Sequence, residues 1–364
     1  MSLSFVHESC HNTKVINSEF TEVARVNLVE LPIDSTLYTK IVFNHKLVEL
    51  DDSVYLYYSW DNQFFYKNLT SGDTKLIPFN WLNKTPIDYL FYKRGQVALL
   101  YDEYIILWNT KTNDTCHIRF KYDNVDIDSE EIVVQSYPNY EFIYFENTFY
   151  IPVAYKLWAN DKDKLRNYYS LPVTLAVNEQ NFESTLFGCW PSNYMEGNYF
   201  GDFFYHLTGG ANGSLVYSFR ASDSLLIYDN YQKGVTKKCP TKQIIHMIPF
   251  PLEDISNFGM IKKYNIESPR FEKIIYDPYY KKYYRVYKPK CTYNNEDNMF
   301  RNASEMEWSI MILNEQFEII RELKVEPKQY SFFKMYCIHG NLWVIQEVEE
   351  LIKRKEIIYS KLTK

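Results

Sequence analysis

The chain alternates strongly apolar runs with short polar breaks, and the breaks share one pattern. Five segments read QFFYKNLTSGDTKLIPF, YIILWNTKTNDTCHIRF, PVTLAVNEQNFESTLF, SLLIYDNYQKGVTKK and SIMILNEQFEIIREL. In each, an apolar run ends in Asn or Asp, a few polar residues follow, and a second strand-like run begins. Asn and Asp tolerate left-handed backbone and bond their own main chain, so Asn68, Asn109, Asn178, Asp229 and Asn314 are expected to open the turns of five hairpins. Their spacing averages about 61 residues, and a chain of 364 residues holds about six such periods.

The apolar runs lack the period-two alternation of a strand with one wet face, which predicts burial on both faces. Blades of a β-propeller meet that condition, because each four-stranded sheet is sandwiched between its neighbours around a central channel. The expected fold class is all-β, a six-bladed β-propeller, with blades near 40–80, 86–122, 132–190, 197–240, 270–325 and 330–364. The stretch from Glu19 to Pro32, EFTEVARVNLVELP, supplies a strand to the last blade and closes the ring. Residues 1–18 then form a flexible amino-terminal segment and 19–364 a single propeller domain. Less than about a tenth of the chain should be helical, against the usual third.

Composition supports strands. There are 34 Tyr, 24 Phe and 7 Trp, but only eight Ala and 11 Gly. Aromatic side chains suit a pleated, half-buried surface, and scarce Ala removes the best helix former. Scarce Gly leaves few phosphate-cradling loops, so a doubly wound nucleotide-binding fold is disfavoured. With 40 basic against 46 acidic residues the net charge is −6, without a long block of either sign, and no nucleic-acid partner is expected. No window approaches the roughly 18 apolar residues of a membrane helix; VALLYDEYIILW is interrupted by Asp102 and Glu103. Membrane contact is expected only through the amino terminus. There MSLSFVHESCHNTK offers Cys10 as the lipidated residue of a bacterial lipoprotein signal, although His7-Glu8-Ser9 is a poor approach to a cleavage site. The competing reading is a disordered terminus with a chance cysteine.

Signatures of the well-known propeller subfamilies are absent: Trp60-Asp61 is a single pair without its histidine partner, and no sialidase-type aspartate box recurs. Four segments, NSEFTEVARVNLVELPIDSTLY near the start, FGCWPSNY at 187–194, GSLVYSFRASDSLLIYD at 213–229 and FEKIIYDPYYKKYYRVY at 271–287, follow one another across nearly the whole chain. In these the chain resembles an uncharacterised bacterial family of six-bladed, TolB-like propellers, the domain of unknown function 4221. The resemblance implies an envelope protein, periplasmic or attached to the outer membrane, often with a lipoprotein signal and with no established activity.

Candidate chemistry is sparse. The seven histidines are scattered and no tetrahedral zinc spacing appears, so neither a metal nor a cofactor is expected. DNVDIDSEE offers Asp123, Asp126, Asp128 and Glu130 but lacks the turn glycine of a calcium loop, and reads better as a solvated connection. The six cysteines are widely spaced in a chain with a large core, so buried free thiols are the default. No GxSxG elbow is present. Recognition is better served. Trp190 and Tyr194 lie in a Pro-containing connection where an amphipathic ring can face a sugar or peptide, while Arg220 and Arg285 end strand-like runs and offer forks for a carboxylate. These four are expected to share one ligand-binding mouth; the alternative is that the arginines pair with carboxylates of a neighbouring blade.

Two functions follow. The first is a non-enzymatic envelope module, acting as a monomer, that binds a protein or glycan partner. The alternative is a propeller-type glycoside hydrolase or polysaccharide lyase, with its carboxylates drawn from Asp202, Asp223, Asp277 and Glu307. An enzyme should gather two or three carboxyls at the funnel floor, one with a raised pKa.

Overall fold

The computed structural model describes residues 20–31, 35, 38–60, 63–79, 84–122, 132–135, 142–156, 161–229, 234–241 and 247–362. Six antiparallel sheets, five with their strands in sequence order and the last taking its outer strand from the amino-terminal end, together form a six-bladed β-propeller. The innermost strands are Lys46–Leu50, Asp88–Lys93, the pair Ile132–Val134 and Ile143–Phe145, Tyr205–Gly209, Arg270–Asp277 and Tyr330–Ile338. Innermost strands of neighbouring blades touch each other. Second and third strands carry the core: TFYIPVAY, LVYSF and WSIMIL are buried at every position, which is why they read as unbroken apolar runs. Fourth strands form the rim, and TKLIP, TCHIR and VTKK are mostly exposed.

The hairpin turns form as the asparagines require. Asn68 Oδ1 accepts the N–H of Thr70 at 2.8 Å and of Ser71 at 3.1 Å; Asn109, Asn178 and Asn314 each take two N–H groups in the same way. Four residues beyond Asn68 the chain turns left-handed at Gly72, with φ of 84°, a conformation open to glycine at little cost. All these turns join the third strand of a blade to its fourth. The turn after Asp229 runs into residues outside those described.

The last blade combines the two ends of the chain. Phe20–Asn27 pairs antiparallel with Glu356–Leu362, from Phe20 opposite Leu362 to Asn27 opposite Glu356, and Arg25 reaches Glu356 at 2.8 Å. The third blade departs from the expected four strands. Its inner strand is in two pieces, both paired with Thr148–Tyr155, and the break falls opposite Pro152, which has no N–H to give the ladder. Residues 1–18, and with them Cys10 and the expected flexible segment, lie outside the described residues, as does the acidic stretch 123–131.

The antiparallel order gives the disc two unlike faces. One carries the tight hairpins that join first to second and third to fourth strands, here the turn face. The other, the loop face, carries everything longer. The five α-helices among the described residues lie there: α1 (Tyr38–Asn44), α2 (Lys162–Tyr169), α3 (Ser192–Met195), α4 (Phe258–Glu267) and α5 (Val348–Arg354).

Candidate functional site

The central channel is hollow. A cavity of about 590 Å³ is lined by the inner strands of five blades, and a second of about 320 Å³ shares its Leu47, Val48, Ile143 and Tyr336 walls and reaches Leu90 and Tyr92 of the remaining blade. A ligand entering it meets residues from every part of the sequence.

Its wall is aliphatic at mid-depth, with Leu47, Leu207, Ile274 and Met335, and polar towards the turn face. There Glu49 at the end of the first blade's inner strand joins three blades. Its Oε1 accepts the Tyr279 hydroxyl and lies 2.9 Å from His339 Nδ1, while its Oε2 accepts the His339 backbone N–H at 2.6 Å. The hydrogen bond to Glu49 is the main reason the Tyr279 phenol is pushed up to about 12. Tyr279 is placed by Asp277, whose Oδ1 accepts the N–H groups of Tyr279 at 2.9 Å and Tyr280 at 3.2 Å. Burial pushes the neighbouring Cys337 thiol up, and Asp277 adds to the shift. Asp51 and Asp52, both left-handed in the turn after Glu49, complete the acidic lip. Lys273 contributes a cation 5.3 Å from the Tyr336 ring.

The four residues singled out in the sequence gather around one turn of the fourth blade, residues 219–223, but they do so from inside. Trp190 packs 5.3 Å from Phe219 and 5.1 Å from both Tyr169 and Tyr194, and the Tyr194 hydroxyl accepts the Ala221 N–H at 3.0 Å. Both rings are buried in the aromatic layer between the third and fourth blades. Arg220 is buried against Asp202 and against Glu272, whose Oε2 is 2.6 Å away, and Arg270 takes the other oxygen of Glu272. These cations overcome the cost of burial and hold the Glu272 carboxyl down at about 2. Arg285 is fully buried and has no ion-pair partner among the described residues. It donates to Ser218 Oγ at 2.9 Å and to the carbonyls of Ser222, Cys239 and Asp223 at 2.7, 3.2 and 3.3 Å, with its guanidinium 3.4 Å from the Phe271 ring centre. Burial lowers its pKa to about 10. The expected open mouth is therefore replaced, at these four positions, by packing and internal pairing; Trp190 alone among them borders an open depression, of about 1,080 Å³.

The carboxylates considered for hydrolysis each have different partners. Asp202 pairs with Arg220, Asp277 holds the turn before Tyr279, Asp223 accepts the Ser224 hydroxyl at 3.0 Å, and Glu307 meets Lys324 at 2.7 Å near the surface. Among the described residues no group of three or more His, Cys, Asp or Glu is placed to hold a metal ion. The five described cysteines are free, yet only Cys239 is buried; Cys116, Cys189, Cys291 and Cys337 are half-buried, short of the full burial expected. Sequence reasoning missed Glu49 and His339, which occupy ordinary strand-end positions. Tyr279 was foreshadowed only by its place in the aromatic run YDPYYKKYY.

Comparison with known proteins agrees with this architecture. Residues 182–324 match the family model of DUF4221, a domain of unknown function. The crystal structure of a DUF4221 family member from Bacteroides vulgatus is similar with a TM-score of 0.69 at 14% identity, covering 94% of this chain and 98% of that one. The DUF4221 resemblance read from the sequence is thus met both in the matched span and in the shared six-bladed fold. A calcium-binding protein, regucalcin, from Agrobacterium tumefaciens is similar with a TM-score of 0.46 at 8% identity, covering 94% and 96% of the two chains. An inactive virginiamycin B lyase from Staphylococcus aureus follows with 0.44 at 12%, covering 87% and 80%. No curated protein matches the sequence.

Proposed function

We propose that this DUF4221-type propeller is a non-enzymatic binding module of the bacterial cell envelope, and that its central channel receives a glycan from the turn face. The observation that carries the reading is the channel cavity of about 590 Å³, which joins Tyr276, Tyr279 and Tyr336 to the carboxylates of Glu49, Asp51 and Asp52. Sugar rings offer apolar faces for aromatic stacking and hydroxyls for carboxylate acceptors, so this mixed lining is chemically apt. Asp202, Asp277 and Glu307 are each engaged by a partner or a turn of their own, which speaks against them as the hydrolytic pair that glycosidase mechanisms need.

A glycan array with the folded protein, followed by calorimetry on the best binder, tests the reading. Tyr279→Ala and Tyr336→Ala should each weaken binding about tenfold or more, as truncated anchors do. Unchanged affinity in both variants, or binding to a protein partner with no glycan retained, would contradict it. The envelope address rests on the amino-terminal Cys10. Metabolic labelling of the full-length precursor with a fatty-acid analogue should mark the wild type and not Cys10→Ala; an unlabelled wild type removes the anchor.

A further inference from the structure

At the opposite end of the channel the chemistry changes. On the loop face a cavity of about 440 Å³ lies between α1, the start of the last blade's inner strand and the start of α5. Val42, Phe43, Phe204, Phe332, Phe333 and Val348 supply apolar wall. Among them is Glu347, only 7% exposed. One of its oxygens, Oε1, accepts the Glu349 N–H at 3.3 Å, but Oε2 is buried without a hydrogen-bond partner. Among the described residues no cation forms an ion pair with Glu347. Lys334 also borders the cavity, with its Nζ donating to the His45 carbonyl at 2.9 Å.

A buried carboxylate oxygen left unpaired is costly, and native proteins ordinarily supply such a group with a partner. We propose that the partner is a ligand: this cavity binds a small organic ammonium ion on an apolar body, with Glu347 Oε2 accepting an ammonium N–H and the phenylalanine rings enclosing the remainder. The lining selects this class. A hard metal ion needs six or more oxygen ligands, and although Glu349, Asn302, Ser304 and Ser331 also line the cavity, no group of three or more His, Cys, Asp or Glu among the described residues is placed to hold one. An organic cation brings apolar surface that the walls can cover, and its charge is attracted by aromatic faces. The volume falls in the roughly 300–1,000 Å³ range of small-molecule sites. Burial keeps the unliganded carboxyl above the ordinary range, with Glu349 and Glu350 adding repulsion, so an arriving cation relieves an existing penalty. The site lies at the other face from the glycan-facing lip, so either can fail without the other.

Calorimetric titration of the intact protein with phenethylammonium tests the proposal, with 2-phenylethanol as the uncharged control of similar shape. The ammonium should bind and the alcohol should bind at least about tenfold more weakly, because a charge-assisted hydrogen bond is lost. Glu347→Gln keeps an oxygen for the Glu349 N–H and should lower ammonium affinity by about tenfold or more, while the exposed control Glu103→Gln, whose carboxylate faces Arg119, should change it less than about threefold. Equal binding of amine and alcohol, no amine binding at millimolar concentration, or full affinity in Glu347→Gln would each overturn it.

Discussion

Two buried glutamates show how differently this propeller treats charge at a blade interface and at a channel mouth. Glu272, on the fifth blade's inner strand, is bracketed by Arg220 at 2.6 Å and by Arg270, and its carboxyl is held down at about 2. Glu347, at the start of α5, meets only backbone N–H groups, those of Glu349 and Val348, its Oε2 makes no hydrogen bond, and burial pushes its carboxyl up. Where the fourth and fifth blades meet, Glu272 is matched by Arg220 of the neighbouring blade and by Arg270 of its own strand. Where the loop face opens, one charge is left over. The paired carboxylate ties two blades together, and the unpaired one borders the cavity for which a cationic ligand is proposed.

The comparison can be broken at its paired side first. Glu272→Ala leaves Arg220 and Arg270 facing each other in the interior and should cost about 3–5 kcal/mol, read from chemical denaturation. Arg285→Met is the next largest. It strips a donor from the carbonyls of Ser222, Asp223 and Cys239 but leaves no uncompensated charge, so about 2–3 kcal/mol is expected, less than for Glu272→Ala. If the two losses prove equal, charge pairing is not what distinguishes these sites.

Acid sharpens the contrast because the two glutamates have opposite signs. Glu272 is held below its unfolded value, so its contribution is fully present above an ordinary carboxyl pKa of about 4.3 and is lost as pH falls towards 2. Glu347 is held above that value. The folded state there binds more protons than the unfolded, and stability falls as pH rises from the ordinary value through the raised one. Glu347→Gln should thus be more stable than wild type at neutral pH, with the gap closing in acid, in thermal melts across pH. The smallest effect belongs to the turn-face lip. Glu49→Gln removes a partly exposed pair with His339 and should cost about 1 kcal/mol or less.

The blades were legible because their cause is local. Asn68, Asn109, Asn178 and Asn314 bond N–H groups two to four residues on, so turn chemistry and the apolar runs beside it stand together in the sequence. The split inner strand of the third blade was not, since the apolar run around Pro152 does not show which neighbouring strand the missing N–H would have faced. The site was illegible for the same reason. Arg220 reads as a free fork until folding brings Asp202 from 18 residues before it and Glu272 from 52 after it. Glu347, in EVEEL, reads as one acid among several at a helix start; the cavity it borders is shared with Phe43, Phe204 and Phe333, each on a different part of the chain.

The most direct test is a carbon-13 titration of the glutamate side-chain carboxyls, with Glu272 and Glu347 assigned by their Gln variants and followed with and without phenethylammonium. In the free protein Glu272 should titrate near 2 and Glu347 above the ordinary range, and the amine should draw Glu347 downward while leaving Glu272 where it was. Glutamates that titrate on the same side of the ordinary value, or a Glu347 resonance indifferent to the amine, would contradict the division between paired and vacant charge.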